Sequence, residues 1–228
     1  MIVYGKQICN HLLRQHPELV RKIYLSKTVD KRSFAFLKRI GRPIVNVDMK
    51  KAQAMARGGN HQGWLCDIAP YRYAALDKLK DSQFLVVLAG LSDVGNIGAI
   101  IRSAYSLGAD GVIVGGIKQL QSEAVMRASS GAMFELPVAI VFNLLDCLHE
   151  LSQVGFTIYG ADTSGVSIEK IVFNQKRVLV LGSEGSGISG KIKKMIDEKI
   201  TICMARQFDS LNVSVAAGII MYRMGYAR

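Results

Sequence analysis

The feature that most restricts the fold of this chain is a continuous apolar run, Phe84–Ala89. Runs of this kind are typical of strands that are buried on both faces of a parallel sheet. Apolar residues at helical spacing follow it as far as Leu107, and residues 111–114 form a second apolar run. Residues 84–114 therefore predict a strand–helix–strand unit, from which parallel α/β domains are built.

The alternation of strands and helices continues on both sides of this unit. Further strands are predicted at residues 138–141, 156–159, 178–181 and 200–202, with helices at residues 122–130, 143–154 and 189–198. The first third of the chain predicts helices at residues 3–22, 31–40 and 49–57, and strands at residues 23–25, 43–47 and 63–68. The predicted fold class is α/β, with a small N-terminal α/β domain and a larger parallel-sheet domain. The predicted boundaries are residues 1–72 for the first domain, 73–80 for a charged linker and 81–228 for the second domain.

The net positive charge of the chain comes entirely from its first third. Residues 1–80 contain 16 Lys and Arg against 5 Asp and Glu, whereas residues 81–228 contain 13 of each kind. A basic domain beside a neutral one indicates that the first domain grips a polyanion such as nucleic acid. The alternative is a small domain that is rich in lysine for solubility.

Several classes of protein are disfavoured by composition. No apolar run approaches the roughly 20 residues that a membrane span requires, and the N-terminus has no signal-peptide or transit pattern. The four cysteines are far apart and form no C-x-x-C pair, which favours reduced thiols in the cytoplasm. The four histidines are scattered, so no metal site is predicted.

The C-terminal segment, residues 200–222, predicts a strand, a polar loop and a helix. Ser210 or Asn212 stands where the helix N-cap is expected. Leu211, Val215, Ile219 and Tyr222 recur at helical spacing, which predicts that this face of the helix packs on the sheet. Ligands of open α/β sheets bind at this edge, beyond the carboxyl ends of the strands. A capped helix without a binding role is the plainer alternative.

Three polar loops are expected to meet at that edge: residues 90–96, 182–189 and 204–212. Their glycines match neither the P-loop nor the dinucleotide-binding pattern, so nucleotide hydrolysis and hydride transfer are disfavoured. Taken singly, Arg102 predicts an exposed or acid-paired cation, Glu184 a turn residue, and Asp162 a cap or turn. The polar side chains that the loops and their helices supply are Asn96, Arg102, Glu184, Ser210 and Asn212.

These segments carry a resemblance to a known family. Residues 96–102, 181–187 and 210–215 resemble, in order and spacing, the three signature motifs of the SpoU/TrmH family of RNA ribose 2′-O-methyltransferases. Residues 3–5 and 60–63 are similar to the substrate-binding domain of the RlmB branch of that family. The resemblance thus covers nearly the whole chain.

The resemblance implies a homodimer whose C-terminal segment forms a trefoil knot that holds S-adenosylmethionine. The cofactor contacts that it implies fall at Gly182, Ile202, Met204 and Leu211. The catalytic set that it implies is Arg102, Asn96, Glu184, Ser210 and Asn212. Two departures stand at the rim of the implied pocket: Cys203 replaces the usual proline, and residues 207–209 are bulkier than usual.

The activity that the resemblance implies is methyl transfer to a ribose 2′-hydroxyl, with a guanosine of 23S ribosomal RNA as the leading substrate. Arg102 is then either the base that receives the hydroxyl proton or, because arginine stays protonated, a cation that stabilises the developing alkoxide. A transfer-RNA methyltransferase of the same family is one alternative. A non-catalytic RNA-binding or ribosome-assembly protein on the same scaffold is the other.

Overall fold

The computed structural model describes residues 1–183, 185–206 and 210–226. The strands are β1 (Ile2–Tyr4), β2 (Val20–Leu25), β3 (Ile44–Asn46), β4 (Trp64–Ile68), β5 (Phe84–Ala89), β6 (Gly111–Gly115), β7 (Val138–Val141), β8 (Thr157–Ser167), β9 (Arg177–Gly182) and β10 (Glu198–Thr201). The helices are α1 (Lys6–Gln15), α2 (Lys31–Ile40), α3 (Met49–Met55), α4 (Val94–Ser106), α5 (Ser122–Ala128), α6 (Leu144–Gln153), α7 (Gly190–Lys193) and α8 (Val213–Gly225). The chain divides into two compact units: unit 1 is Met1–Arg72 with Gln121–Gly131, and unit 2 is Tyr73–Leu120 with Ala132–Arg228.

Unit 1 is built on a four-stranded mixed sheet in the order β1-β4-β2-β3. Strand β4 runs antiparallel to both of its neighbours, and β2 runs parallel to β3. Helix α2 has the ends that the sequence predicts. Asp30 accepts a hydrogen bond from the Ser33 N–H at 2.8 Å, and Gly41 ends the helix in the left-handed conformation at φ 72°.

The predicted helix over residues 3–22 is confirmed only for α1, Lys6–Gln15, and both of its predicted ends are wrong. Val3 pairs with Cys66 of β4, so the chain begins as a strand, and Gly5 turns it into α1 at φ 113°. Pro17 then opens a short 3-10 helix, Pro17–Leu19, and β2 begins at Val20. The helical spacing of the apolar residues does not reveal the edge strand β1, because its backbone groups pair with β4, about 60 residues further along the chain.

Helix α5 packs within unit 1, although the sequence pattern places residues 121–131 in the second domain. The Arg127 guanidinium lies 4.0 Å from the centre of the Tyr4 ring, in cation–π geometry. A Cβ on Gly131 would lie 2.6 Å from the His11 ring, so the close approach of these two segments requires glycine there. Unit 1 is therefore formed from two separate stretches of the chain.

Unit 2 is an all-parallel six-stranded sheet in the order β10-β8-β9-β5-β6-β7. All six residues of β5 are buried, as the apolar run predicts. On one face, α6 and α7 supply Leu144, Leu148, Leu151 and Ile192 to a core with alternate residues of the strands. Helices α4 and α8 pack against each other and against β6 and β9, and they cover the remaining strand residues. The α/β fold class with a parallel C-terminal sheet is thus confirmed.

The boundaries of several elements of unit 2 differ from the predicted ones. Residues 73–80, the predicted linker, belong to unit 2: Leu79 is buried there, at the end of a short 3-10 helix, Leu76–Leu79. Helix α4 begins at Val94, within the predicted loop over residues 90–96, because Asp93 caps it. Helix α7 is only four residues long, since the Asp197 carboxylate accepts a hydrogen bond from the Ile158 N–H and draws the chain back to the sheet.

The predicted buried face of α8 is wrong. Val215, Ile219 and Tyr222 are 51%, 40% and 60% exposed. The face that packs inward carries instead Ala217, Ile220, Met221 and Met224. Since α8 is apolar on nearly every side, periodicity does not distinguish which of its faces is buried.

Candidate functional site

A cavity of about 940 Å³ opens at the carboxyl edge of the unit 2 sheet. Its lining comes from four stretches of chain: residues 161–163 of β8, residues 181–183, 185, 187 and 188 at the end of β9 and beyond it, residues 200–204 at the end of β10 and beyond it, and residues 210–213, 216 and 220. Lys193 of α7 completes the lining. The cavity lies where ligands of open parallel sheets bind, and its volume suits a nucleoside-sized molecule.

The floor of the cavity is a tight turn that folds back over the end of β9. Ser183 and Gly187 exchange two backbone hydrogen bonds, of 3.2 and 2.9 Å. A Cβ on Gly182 would lie under 3.0 Å from three backbone atoms of Gly187 and Ile188. Only glycine therefore allows the turn to close on the strand. Glu184, a predicted catalytic residue in this turn, lies outside the described residues.

The walls are largely apolar. Leu181, Ile188, Ile200 and Ile220 contribute buried side chains, while Met204 and Cys203 lie at the exposed rim. The structure brings all four residues of the implied cofactor set to this one cavity: Gly182, Ile202, Met204 and Leu211. Apolar walls with exposed backbone groups at strand ends are suited to a flat heterocycle with polar edges.

One ion pair lies in the cavity wall. The Asp162 carboxylate (Oδ2) accepts a hydrogen bond from the Lys193 ammonium at 2.8 Å, and the Asp162 side chain is only 13% exposed. This hydrogen bond, together with one from the Ser164 N–H, holds the pKa of Asp162 well below its usual range. The sequence predicted only a cap or turn at Asp162 and no role for Lys193. The one available signal was that Asp162 follows a strand which ends at the ligand edge.

Two asparagines meet beside the cavity. Asn212 Nδ2 donates a hydrogen bond to Asn96 Oδ1 at 3.1 Å. Asn212 Oδ1 accepts from the Ser214 N–H at 2.9 Å and from the Val215 N–H, so Asn212 is the N-cap of α8. Of the two predicted cap residues, Asn212 thus has that position, and Ser210 lines the cavity.

Arg102 lies on the exposed side of α4, six residues beyond Asn96 or about 9 Å along the helix axis. Its side chain is not part of the cavity lining. Within the described residues, the structure thus joins Asn96 to Asn212 by a hydrogen bond and places Ser210 and Asn212 in the cavity lining, whereas Arg102 is exposed and does not line the cavity.

A fully parallel sheet, a large cavity at its carboxyl edge and a glycine-dependent floor define a ligand-binding α/β protein. Comparison with known proteins makes this class specific. The chain belongs to the SpoU family of RNA methyltransferases: residues 83–222 match the SpoU rRNA Methylase family. Residues 2–74 match the RNA 2′-O ribose methyltransferase substrate-binding domain.

Individual relatives agree with this assignment. YacO of Bacillus subtilis, a proposed TrmH family tRNA/rRNA methyltransferase, is 33% identical over 97% of this chain and 94% of its own length. The uncharacterised tRNA/rRNA methyltransferase slr0955 of Synechocystis is 35% identical over 81% of this chain, which spans only half of that relative. The crystal structure of the SpoU methyltransferase AviRb from Streptomyces viridochromogenes superposes with a TM-score of 0.80 at 24% identity, over 99% of this chain and 89% of AviRb.

None of the helices in the described part of the chain combines the length and the hydropathy of a membrane span.

Proposed function

We propose that this protein transfers the methyl group of S-adenosylmethionine to a ribose 2′-hydroxyl of RNA, with a guanosine of 23S ribosomal RNA as the substrate. The observation that carries this proposal is the meeting of the three motif segments at one edge of the sheet. Gly182, Ile202, Met204 and Leu211 line one cavity, and the Asn96–Asn212 hydrogen bond lies beside it. AviRb, which has the same fold, was solved in complex with S-adenosylmethionine.

The cavity fits this cofactor. Its volume of about 940 Å³ is ample for an adenosine with a methionine tail, and its apolar walls suit the purine ring. The turn that only Gly182 permits leaves the backbone of Ser183, Gly187 and Ile188 close to the ligand space. When bound, the sulfonium supplies an activated methyl group, and the protein has to hold the ribose oxygen in line with it.

The polar side chains then divide the remaining work. We assign Asn96, Ser210 and Asn212 to orienting the ribose and the methionine end, because the hydrogen bond between the asparagines ties α4 to the start of α8. Arg102 is exposed and does not line the cavity, a position that suits contact with a bound RNA phosphate. As a permanent cation it would stabilise the alkoxide that develops as the 2′-hydroxyl loses its proton.

Unit 1 is proposed to bind the RNA. Its match to a substrate-binding domain and its excess of positive charge both support this role. Helix α2 presents four exposed cations on its surface: Lys31, Arg32, Lys38 and Arg39. Phosphate contacts of this kind fix the position of the RNA, while unit 2 performs the chemistry.

The exposed apolar face of α8 supports a homodimer. Val215, Ile219, Tyr222 and Tyr226 are all at least 40% exposed, and a contiguous apolar surface of this kind is typical of an interface. A symmetric dimer would bury this face against its own copy. The trefoil knot stays a prediction that rests on the family resemblance, and a cytoplasmic location stays one that rests on the separated cysteines.

The decisive experiment offers labelled S-adenosylmethionine with unmodified 23S ribosomal RNA and, separately, bulk transfer RNA. Label at a ribose 2′-oxygen of the large RNA supports the proposal and identifies the nucleotide. Label only in transfer RNA keeps the chemistry and replaces the substrate, an outcome that the tRNA/rRNA names of both relatives leave open. Arg102→Ala is the matched negative control: it should lose transfer but still bind S-adenosylhomocysteine, and normal turnover would refute the role of Arg102.

A further inference from the structure

Strand β8 contains an insertion that reaches the cavity. Its pairing with β10 jumps from Gly160 opposite Lys199 to Val166 opposite Ile200, so residues 161–165 bulge out of the ladder. Ala161, Asp162 and Thr163 of this bulge line the cavity. A Cβ on Gly165 would lie 2.5–2.6 Å from backbone atoms of Lys199 and Ile200, so the bulge is pressed against β10. The bulge therefore presents Asp162 at a fixed position in the wall.

The Asp162 carboxylate is held in place on three sides. Oδ1 accepts hydrogen bonds from Ser164 N–H at 3.0 Å and from Ser164 Oγ at 2.9 Å, while Oδ2 accepts from Lys193 Nζ at 2.8 Å. A carboxylate has about four acceptor positions, so within the described structure one position on Oδ2 is left for a ligand. Because Lys193 keeps the group ionised, that position accepts a hydrogen bond and donates none.

We propose that Asp162 recognises the cofactor by accepting a hydrogen bond from a hydroxyl group of its ribose. This inference rests on the proposed function, because it assumes that S-adenosylmethionine occupies the cavity. A fixed carboxylate that accepts from a ribose hydroxyl is a general solution in nucleoside-binding α/β folds. Lys193 acts here as a positioning residue that orients the carboxylate.

The ammonium group of the methionine tail is a less suitable partner for Asp162. Lys193 already neutralises the carboxylate at 2.8 Å, and its own positive charge would repel a second ammonium at the same oxygen. The Asn96–Asn212 pair, on α4 and α8, is the group proposed to face the reacting end of the cofactor. A neutral hydroxyl donor therefore matches the Asp162 position better than a cation does.

The test is calorimetric titration of the full-length protein with S-adenosylhomocysteine and with its 2′,3′-dideoxy analogue, for the wild type, Asp162→Asn and Lys193→Met. In Asp162→Asn, S-adenosylhomocysteine should bind about 10- to 100-fold more weakly, since a hydrogen bond to a charged group is lost, while the dideoxy analogue should change less than about 2-fold. Lys193→Met retains the carboxylate and should weaken S-adenosylhomocysteine binding less than Asp162→Asn does.

Two outcomes overturn this inference alone. Unchanged affinity of Asp162→Asn for S-adenosylhomocysteine would mean that the carboxylate does not touch the ligand. Equal weakening of both ligands would mean that the ion pair only braces the wall. If the wild type binds neither ligand, the proposed cofactor is wrong as well. This result distinguishes a failure of the proposed function from a failure of the Asp162 inference alone.

Discussion

Replacing Gly182 by alanine tests the floor of the cavity. The new Cβ would lie under 3.0 Å from Gly187 C, Gly187 O and Ile188 N, whereas ordinary contacts are 3.4–4 Å. All three are backbone atoms of a turn that is closed by two hydrogen bonds, so the clash cannot be relieved by moving a flexible side chain. The turn must retreat by about 1 Å, and overpacking of this kind costs about 1–3 kcal/mol. Because the turn also lines the cavity, we expect S-adenosylhomocysteine to bind at least about 10-fold more weakly.

The assay combines calorimetric titration with thermal unfolding, so that lost affinity is separated from lost folding. The matched control is Gly190→Ala: a Cβ there meets nothing within 4 Å, Gly190 opens α7, and it does not line the cavity. This control should keep both the affinity and the melting temperature. If Gly182→Ala also binds like the wild type, the turn does not shape the cofactor site and the reasoning is refuted.

Four further outcomes are expected. Asn212→Ser keeps a residue that can cap α8 but cannot reach Asn96, so the melting temperature should stay unchanged while the rate of single-turnover methyl transfer falls about 10-fold or more. A melting temperature that falls together with the rate would indicate a purely structural role. Ile219→Glu should raise the dimer dissociation constant measured by sedimentation about 100-fold, whereas Phe142→Glu, an equally drastic change at a residue that is 96% exposed, should not. An unaltered dimer in Ile219→Glu would exclude this face of α8 as the dimer interface. Because the pKa of Asp162 is depressed in the folded state, its ion pair adds stability above about pH 4, and this stability is lost as the pH falls. The difference in urea midpoint between the wild type and Asp162→Asn should therefore shrink from pH 7 to pH 3, and a difference that grows would contradict this reasoning. Replacing the four α2 cations, Lys31, Arg32, Lys38 and Arg39, by glutamine should reduce the log–log slope of RNA affinity against salt concentration by up to about 3. An unchanged slope would mean that the RNA binds elsewhere.

The parts of the structure that the sequence predicts well are those governed by local chemistry. The six apolar residues of β5 have the length and composition of a buried strand, and the Asp30 cap and the Gly41 stop of α2 act within one turn of the chain. Part of the cavity lining, Gly182, Ile202, Met204 and Leu211, was identified through the resemblance to the motifs of the family.

The parts that the sequence did not predict depend on contacts between distant segments. Contacts with α4 decide which side of α8 is buried, for example where Gly225 approaches the Leu107 carbonyl oxygen. Because α8 is apolar and has no polar face, its sequence does not show which side that is. The Asp162–Lys193 pair joins residues 31 positions apart, and the β8 bulge that presents Asp162 exists only through its register with β10. No local pattern contains this information.

The cavity is made almost entirely by the last third of the chain. Its walls require β8, β9, β10 and the start of α8, so these four elements must all be in place before a ligand can bind. Parallel pairing of such separated strands forms slowly compared with local structure. During synthesis, β5, β6 and β7 can associate while no ligand site exists. A ligand that binds only the finished cavity stabilises only finished molecules, so cofactor binding would report, and favour, the completion of folding.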